Sequence, residues 1–270
     1  MGRLGELRFE PTEKRIRATL GGRAVIDSER AVLVWEPRRV TPAYAVPAED
    51  IAAELIATMP SDEHGHLLTP AEGAPELAGR PVYDPSVPFT VHTTDGRSLD
   101  IRIDDEQREN AAFRPTDPAL EGYVILDFGA FDAWYEEDEL NVGHPRDPFH
   151  RIEIVHSSRT VRVELGGFLI AESAAPYLLF EPPLPVRYYL PAEDVVSGAL
   201  RPSETRTFCA YKGEAAYWSA DGELDVAWSY LRPLREAREV TGRIAFFNER
   251  VDLIVDGEQL DRPITPWSKR

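Results

Sequence analysis

The residues with the most potential chemistry lie in one short stretch, residues 205–218. It contains the only cysteine of the chain, Cys209, and a lysine three positions later, Lys212. A nearby ammonium group stabilises a thiolate, so this pair is typical of a cysteine nucleophile with an activating or oxyanion-binding lysine. A buried cysteine next to a lysine that anchors a loop is the non-catalytic alternative. No histidine is close in sequence; His150 and His156 could act as a base only if folding brings them near.

Aromatic residues follow the cysteine and lysine along the chain. They alternate with small residues and are Tyr211, Tyr217, Trp218, Trp228 and Tyr230. Their ring faces can stack on a flat or cationic ligand, while Gly213 permits a close backbone approach. An aromatic core is the alternative, but a pure core rarely contains a lysine such as Lys212. We therefore predict a small-molecule pocket here, with an enzyme that uses Cys209 and Lys212 as the alternative hypothesis.

Composition limits the possible partners and the location of the protein. The 270 residues include 47 acidic and 30 basic side chains, and the net charge of −17 repels nucleic acid and anionic membranes. One cysteine excludes an intrachain disulfide and any site with several thiolates, so we predict no metal and no other cofactor. The N-terminus lacks the apolar core of a signal peptide, and no apolar run is long enough to span a membrane. These features predict a cytoplasmic location.

The chain also contains an internal repeat, which determines how many folding units it has. Leu20-Gly-Gly22 recurs as Leu165-Gly-Gly167, and Glu36-Pro37 recurs as Glu181-Pro182, each 145 positions later. Further matches pair Ser28 with Ser173, Leu33 with Leu178, and Pro47-Ala-Glu-Asp50 with Pro191-Ala-Glu-Asp194. A shorter match pairs Asp95-Gly96 with Asp221-Gly222, which places insertions in the first copy on either side of Asp95. One of them holds His64-Gly-His66, which we interpret as a surface loop.

The repeat predicts a first, degenerate copy over residues 10–142, a linker over 143–158 and a second copy over 159–262. Alternation of apolar and polar residues, as in residues 161–165, predicts β-strands. Each Gly-Gly predicts a hairpin turn, and each Pro-Ala-Glu-Asp the start of a short helix. The predicted fold is mainly β, with two tandem compact domains and a few short helices.

The second copy resembles the bacterial domain of unknown function 427 family. The resemblance rests on several ordered blocks: Leu165-Gly-Gly167, Tyr188-Tyr189, Pro191-Ala-Glu-Asp194, Thr207-Phe-Cys-Ala-Tyr-Lys-Gly213, Tyr217-Trp218, Ala227-Trp-Ser-Tyr230 and Gly242-Arg-Ile-Ala-Phe246. It implies a compact tent-like or split-barrel β domain. The family is sometimes labelled nucleotidyltransferase-like, but this sequence has neither a phosphate-binding loop nor a set of carboxylates spaced for magnesium, so this activity is only a distant alternative.

The first copy resembles the same family at its two ends but lacks the Cys-x-Tyr-Lys-Gly block. Opposite that block it has Val87-Pro-Phe-Thr-Val-His92. We therefore expect the first copy to be a structural or interaction partner of the second. The two copies are also candidates to pack as an intrachain pseudo-dimer.

Overall fold

The computed structural model describes residues 4–58, 76–77, 80–85, 87–182, 184–265 and 268. The His64-Gly-His66 motif lies outside these residues. The chain divides into two compact units, Met1–Asp147 and Pro148–Arg270.

The first unit contains two antiparallel sheets and a short ribbon. The order of the seven-stranded sheet is β1 (Arg8–Pro11), β4 (Val32–Trp35), β5 (Ala43–Pro47), β11 (Tyr123–Leu126), β10 (Glu106–Pro115), β9 (Gly96–Ile103) and β6 (Glu54–Ala57). The order of the four-stranded sheet is β13 (Glu139–Asn141), β12 (Ala133–Glu136), β2 (Ile16–Leu20) and β3 (Arg23–Ser28). The ribbon pairs β7 (Glu76–Leu77) with β8 (Arg80–Pro81).

The second unit has the same arrangement of two sheets. Its seven-stranded sheet has the order β14 (Glu153–His156), β17 (Tyr177–Phe180), β18 (Arg187–Leu190), β22 (Ile244–Phe246), β21 (Glu223–Ser229), β20 (Gly213–Ala220) and β19 (Arg201–Cys209). Its four-stranded sheet has the order β16 (Phe168–Ser173), β15 (Val161–Leu165), β23 (Asp252–Val255) and β24 (Glu258–Gln259). The two units share one strand order, which confirms the repeat. Strand β14 comes from residues that the sequence assigns to the linker.

Short 3₁₀ helices complete the fold: Ala48–Asp50, Pro118–Leu120, Phe128–Ala130, Ala192–Asp194 and Arg235–Val240. Those at Ala48 and Ala192 begin after the prolines of the repeated Pro-Ala-Glu-Asp motif. Both Gly166 and Gly167 have positive φ, as the hairpin between β15 and β16 requires. The prediction of two mainly β domains with a few short helices is confirmed.

One of the sequence matches is wrong in register. Asp221-Gly222 forms the turn between β20 and β21, and the corresponding turn between β9 and β10 is Asp104-Asp105. Asp95 instead precedes β9. Strand β9 has an aspartate immediately before it and two after it, and a match of two residues is too short to distinguish the two ends. The long insertion of the first copy therefore lies between β6 and β9.

The two faces of the second unit's seven-stranded sheet have different environments. One face packs against the four-stranded sheet: Leu190 and Ala227 of this face share a core with Val163 of the four-stranded sheet. The other, which we call the outer face, holds a separate apolar cluster. Its buried members are Leu179, Tyr189, Ala215, Trp228, Tyr230, Ala237, Val240, Ala245 and Phe247. The helix Arg235–Val240 contributes Ala237 and Val240, so it covers part of this face.

Candidate functional site

The Cys-x-Tyr-Lys-Gly block forms the tight connection between β19 and β20. Strand β19 ends at Cys209, β20 begins at Gly213, and the intervening residues, Ala210, Tyr211 and Lys212, are all buried. The backbone N–H of Leu234 donates to the carbonyl oxygen of Lys212 at 3.0 Å. Gly213 has φ of +93°, and a Cβ atom added there would lie 3.3 Å from Leu234 Cγ. The glycine therefore permits both the turn and the close approach of the following segment.

We expect Gly213→Ala to destabilise the second unit by about 1–3 kcal/mol. Alanine is strained at a positive φ, and its methyl group would crowd Leu234. Gly198→Ala is the matched control, since Gly198 has φ of +79° and no heavy atom within 4 Å of the added Cβ. Urea unfolding of both variants measures the difference. Equal losses of stability would mean that the contact with Leu234 has no effect.

Lys212 forms a buried ion pair with Glu181, the residue that follows β17. The ammonium donates to Glu181 Oε2, and the side chains are 9% and 10% exposed. His150 Nε2 donates to the other oxygen, Oε1, at 3.3 Å. The His150 ring also lies against Tyr211, with ring centroids 4.9 Å apart. Folding thus brings a histidine from the segment before β14 to the Cys-x-Tyr-Lys-Gly block.

Both members of this pair are ionised. Burial raises the pKa of Glu181, but Lys212 and His150 outweigh it and lower the pKa from 4.5 to about 2. Burial lowers the pKa of Lys212, but the neighbouring Glu181 carboxylate outweighs it, and the net pKa is raised above 10.5. Lys212 is therefore a permanent hydrogen-bond donor and not an amine nucleophile.

Cys209 lies beside this ion pair as a free, partly buried thiol. It is close enough to contribute to the raised pKa of Lys212, after burial and Glu181, and to that of Tyr230, after burial and Tyr189. The structure thus places Cys209 and Lys212 in one cluster. Since Glu181 balances the charge of Lys212, the cation nearest to Cys209 along the chain belongs to an ion pair.

The predicted aromatic residues divide between the two faces of the sheet. Tyr217, Trp228 and Tyr230 belong to the outer face. The Tyr217 and Thr207 hydroxyls are 2.9 Å apart, and Trp228 Nε1 donates to the Tyr189 hydroxyl at 3.0 Å. Trp218 instead packs against the core between the sheets, because neighbouring residues of a strand point to opposite faces. The structure therefore does not bring Trp218 together with the other predicted site residues.

Two residues of this cluster, Glu181 and Tyr189, were not named as site residues from the sequence. Glu181 carried a signal, because the Glu-Pro pair recurs in both copies. Tyr189 lies in a block of the family resemblance. His150 was named only as a base that folding would have to bring near, since its contact with Glu181 depends on the path of the chain before β14.

The comparison with family models agrees with the division of the chain into two units. A model described as Domain of unknown function (DUF427) matches residues 8–66 and 153–257, one segment in each unit. The chain belongs to this family. No curated protein matches the chain.

In the described parts of the DUF427 chain, no helix is long and apolar enough to cross a membrane. Nor do three or more His, Cys, Asp or Glu side chains gather there in an arrangement that could hold a metal ion.

The outer face of the second DUF427 copy also carries another buried ion pair. Two guanidinium nitrogens of Arg187 donate to the two oxygens of Glu249, each at 2.7 Å, and the Thr265 hydroxyl donates to Glu249 at 2.6 Å. The guanidinium carbon lies 5.4 Å from the ring centroid of Trp228. Burial raises the pKa of Glu249, but Arg187 outweighs it and the net pKa is lowered. The guanidinium of this ion pair thus packs against one side of the Trp228 ring.

The first DUF427 copy retains the buried glutamate but satisfies it differently. Glu36, the counterpart of Glu181, accepts from His92 Nδ1 at 2.9 Å and from the backbone N–H of Thr93 at 2.7 Å. The His92 ring stacks on Phe113 with ring centroids 3.6 Å apart. Phe113 pairs with β11 as Trp228 pairs with β22, so the two aromatic residues are equivalent. The segment at 87–92 therefore provides His92 in place of Lys212.

Proposed function

We propose that the second DUF427 copy binds a small molecule on its outer face. The binding site comprises Cys209, Lys212, Glu181, His150 and Tyr230, which we call the Lys212 site. The remaining predicted ligand-binding residues of this face, Tyr211, Gly213, Tyr217 and Trp228, form its surroundings.

The observation that carries this proposal is the buried Lys212–Glu181 ion pair next to a partly buried thiol. Burying two opposite charges costs nearly as much free energy as their attraction returns, so apolar side chains would stabilise this face at least as well. A role other than stability accounts for the pair. Recognition of a polar group is such a role, and it suits a carboxylate and an ammonium that lie close together.

The first copy supports this interpretation by contrast. It keeps the same strand order and the equivalent glutamate, Glu36, but its partners are His92 and a backbone N–H. The fold of a DUF427 copy thus does not require a lysine and a cysteine at this place. Their presence in the second copy is explained by a site that the first copy lacks.

Binding is better supported than the thiol-enzyme alternative. An activating lysine lowers the pKa of a cysteine through an uncompensated positive charge. Lys212 is paired with Glu181, so it is not the lone cation that such an activating role requires. The net charge of −17 favours a small molecule over nucleic acid as the partner.

A fragment library tested by thermal shift on the whole chain examines the proposal. We expect some fragments to raise Tm, and we expect Tyr230→Phe to abolish their effect because it removes a hydroxyl from the site. Tyr188→Phe is the matched control, since Tyr188 is also a buried tyrosine but packs in the core between the sheets. If no fragment raises Tm, or if every active fragment tolerates Tyr230→Phe, the proposed site is wrong.

A further inference from the structure

Residues 87–93 of the first copy cover part of one face of its seven-stranded sheet. This face holds an apolar cluster whose buried members are Val32, Val34, Ala45, Phe113, Leu120 and Ile125. Since Phe113 is the equivalent of Trp228, the face corresponds to the outer face of the second copy. The His92 ring stacks on Phe113. Phe89 packs against the cluster and meets the His92 ring edge-on, with ring centroids 5.0 Å apart.

Arg39, which follows β4, holds the first part of this segment. Its guanidinium donates to the carbonyl oxygens of Val87 at 3.3 Å and Pro88 at 2.8 Å, and also to that of Val91. These bonds replace the water that burial removes from a cation. In the second copy the residue 145 positions later is Leu184, so this cation is specific to the copy that has the covering segment.

Glu36 holds the other end of the segment. One carboxylate oxygen accepts from His92 Nδ1 at 2.9 Å, and the other accepts from the backbone N–H of Thr93 at 2.7 Å. The Thr93 hydroxyl donates to the carbonyl oxygen of Pro37 at 2.8 Å. Because Glu36 is only 4% exposed, its carboxylate depends on His92 and Thr93 for these hydrogen bonds.

The covering segment is less firmly built than the sheet beneath it. Residues 87–93 form no β-strand, and each of them is at least partly exposed. A segment with few buried apolar contacts opens at a lower free energy than the core strands of the same domain. Phe113 and Ile125, by contrast, are fixed by the pairing of β10 with β11. Opening of residues 87–93 can therefore leave the sheet intact and expose Phe113.

We propose that residues 87–93 are a reversible cover of the first copy, held closed by Glu36 and Arg39, whose opening exposes the apolar surface around Phe113. The closed cover is an autoinhibitory contact, because the chain itself occupies the face that corresponds to the outer face of the second copy. The inference concerns the first copy alone. It is therefore tested separately from the proposed function of the second copy.

Native-state hydrogen exchange of the whole chain, followed by NMR at low urea concentrations, tests whether the cover opens by itself. The Thr93 amide is the reporter, since it donates to a buried carboxylate. We expect it to exchange about tenfold or more faster than the paired amides of β10 and β11. Its rate should hardly depend on urea, because a local opening exposes little surface. A Thr93 amide that exchanges together with β10 and β11 at every urea concentration would overturn the inference.

Arg39→Leu introduces the residue that the second copy has at this position and should favour the open cover. We expect the exchange of the Thr93 amide to rise about tenfold and the fluorescence of the uncharged dye Nile red to rise several-fold. Arg102→Leu is the matched control, because Arg102 is an exposed arginine of the same unit that pairs with Glu54, and it should change neither readout.

Unchanged Thr93 exchange in Arg39→Leu would overturn the role of Arg39 in holding the cover closed. Faster exchange without added Nile red fluorescence would overturn the exposure of the apolar surface. If Arg39→Leu does not fold, the exchange of the original chain decides alone. A lack of active fragments in the thermal-shift experiment would overturn the proposed function and leave this inference standing.

Discussion

Replacing Lys212 with methionine is expected to destabilise the second DUF427 copy by about 3–5 kcal/mol, because it leaves a buried carboxylate without its cation. Of the described residues, Glu181 would keep only His150 as a side-chain partner. Its pKa would then rise, and the folded protein would take up a proton at the carboxylate. Hydrogen exchange measured by mass spectrometry localises the loss of stability to residues of the second unit.

The double variant Lys212→Met/Glu181→Leu should recover most of this loss, since it removes both charges and keeps the site filled. The exposed pair Arg201–Asp221 provides the control, because surface ion pairs contribute little to stability. Arg201→Met should therefore leave the protection of the second unit almost unchanged. A Lys212→Met variant as stable as Arg201→Met would show that Glu181 is not a buried anion in the folded protein.

Acid should destabilise the second unit through Glu181. Its pKa in the folded chain is about 2, against an ordinary value of 4.5. A carboxyl whose pKa is lowered by folding contributes stability above its unfolded pKa, and this contribution is lost as the pH falls toward the folded pKa. The difference of 4.5 − 2 = 2.5 units corresponds to about 3 kcal/mol, lost between pH 4.5 and 2.

The pH dependence can be measured by urea unfolding at several pH values in this window. Glu249 adds a loss in the same direction, since its pKa is also lowered, so some acid sensitivity will remain in any variant of Glu181. We expect the double variant Lys212→Met/Glu181→Leu to lose less stability between pH 4.5 and 2 than the original chain. An unchanged slope would contradict the assignment of a depressed pKa to Glu181.

Much of the fold could be predicted because its signals are local. The Gly-Gly turns need positive φ values that other residues rarely adopt, and each Pro-Ala-Glu-Asp motif starts a short helix. Their recurrence, after 145 residues for the Gly-Gly turn and 144 for the Pro-Ala-Glu-Asp motif, indicated the two copies. The match of Asp95-Gly96 failed because Asp and Gly occur in many turns, so two residues do not define a strand register.

The site was only partly predictable from the sequence. It depends on which face of a strand each residue occupies and on contacts between segments that are distant in the sequence. The two-residue alternation of strands separates Tyr217 from Trp218, which were grouped on composition alone. Glu181 follows β17 and Lys212 connects β19 to β20, strands that are not adjacent to β17 in the sheet, and His150 precedes the predicted second copy altogether. These contacts depend on tertiary structure, which no spacing in the sequence encodes.

The central claim is that the second copy, and not the first, holds a small-molecule binding site at Lys212. A crystal structure of the whole chain soaked with the fragments that raise Tm tests it most directly. We predict density for a fragment on the outer face of the second copy, in contact with the Lys212–Glu181 pair. Density only beside Glu36 and His92 in the first copy, or nowhere on the outer face of the second, would contradict the claim.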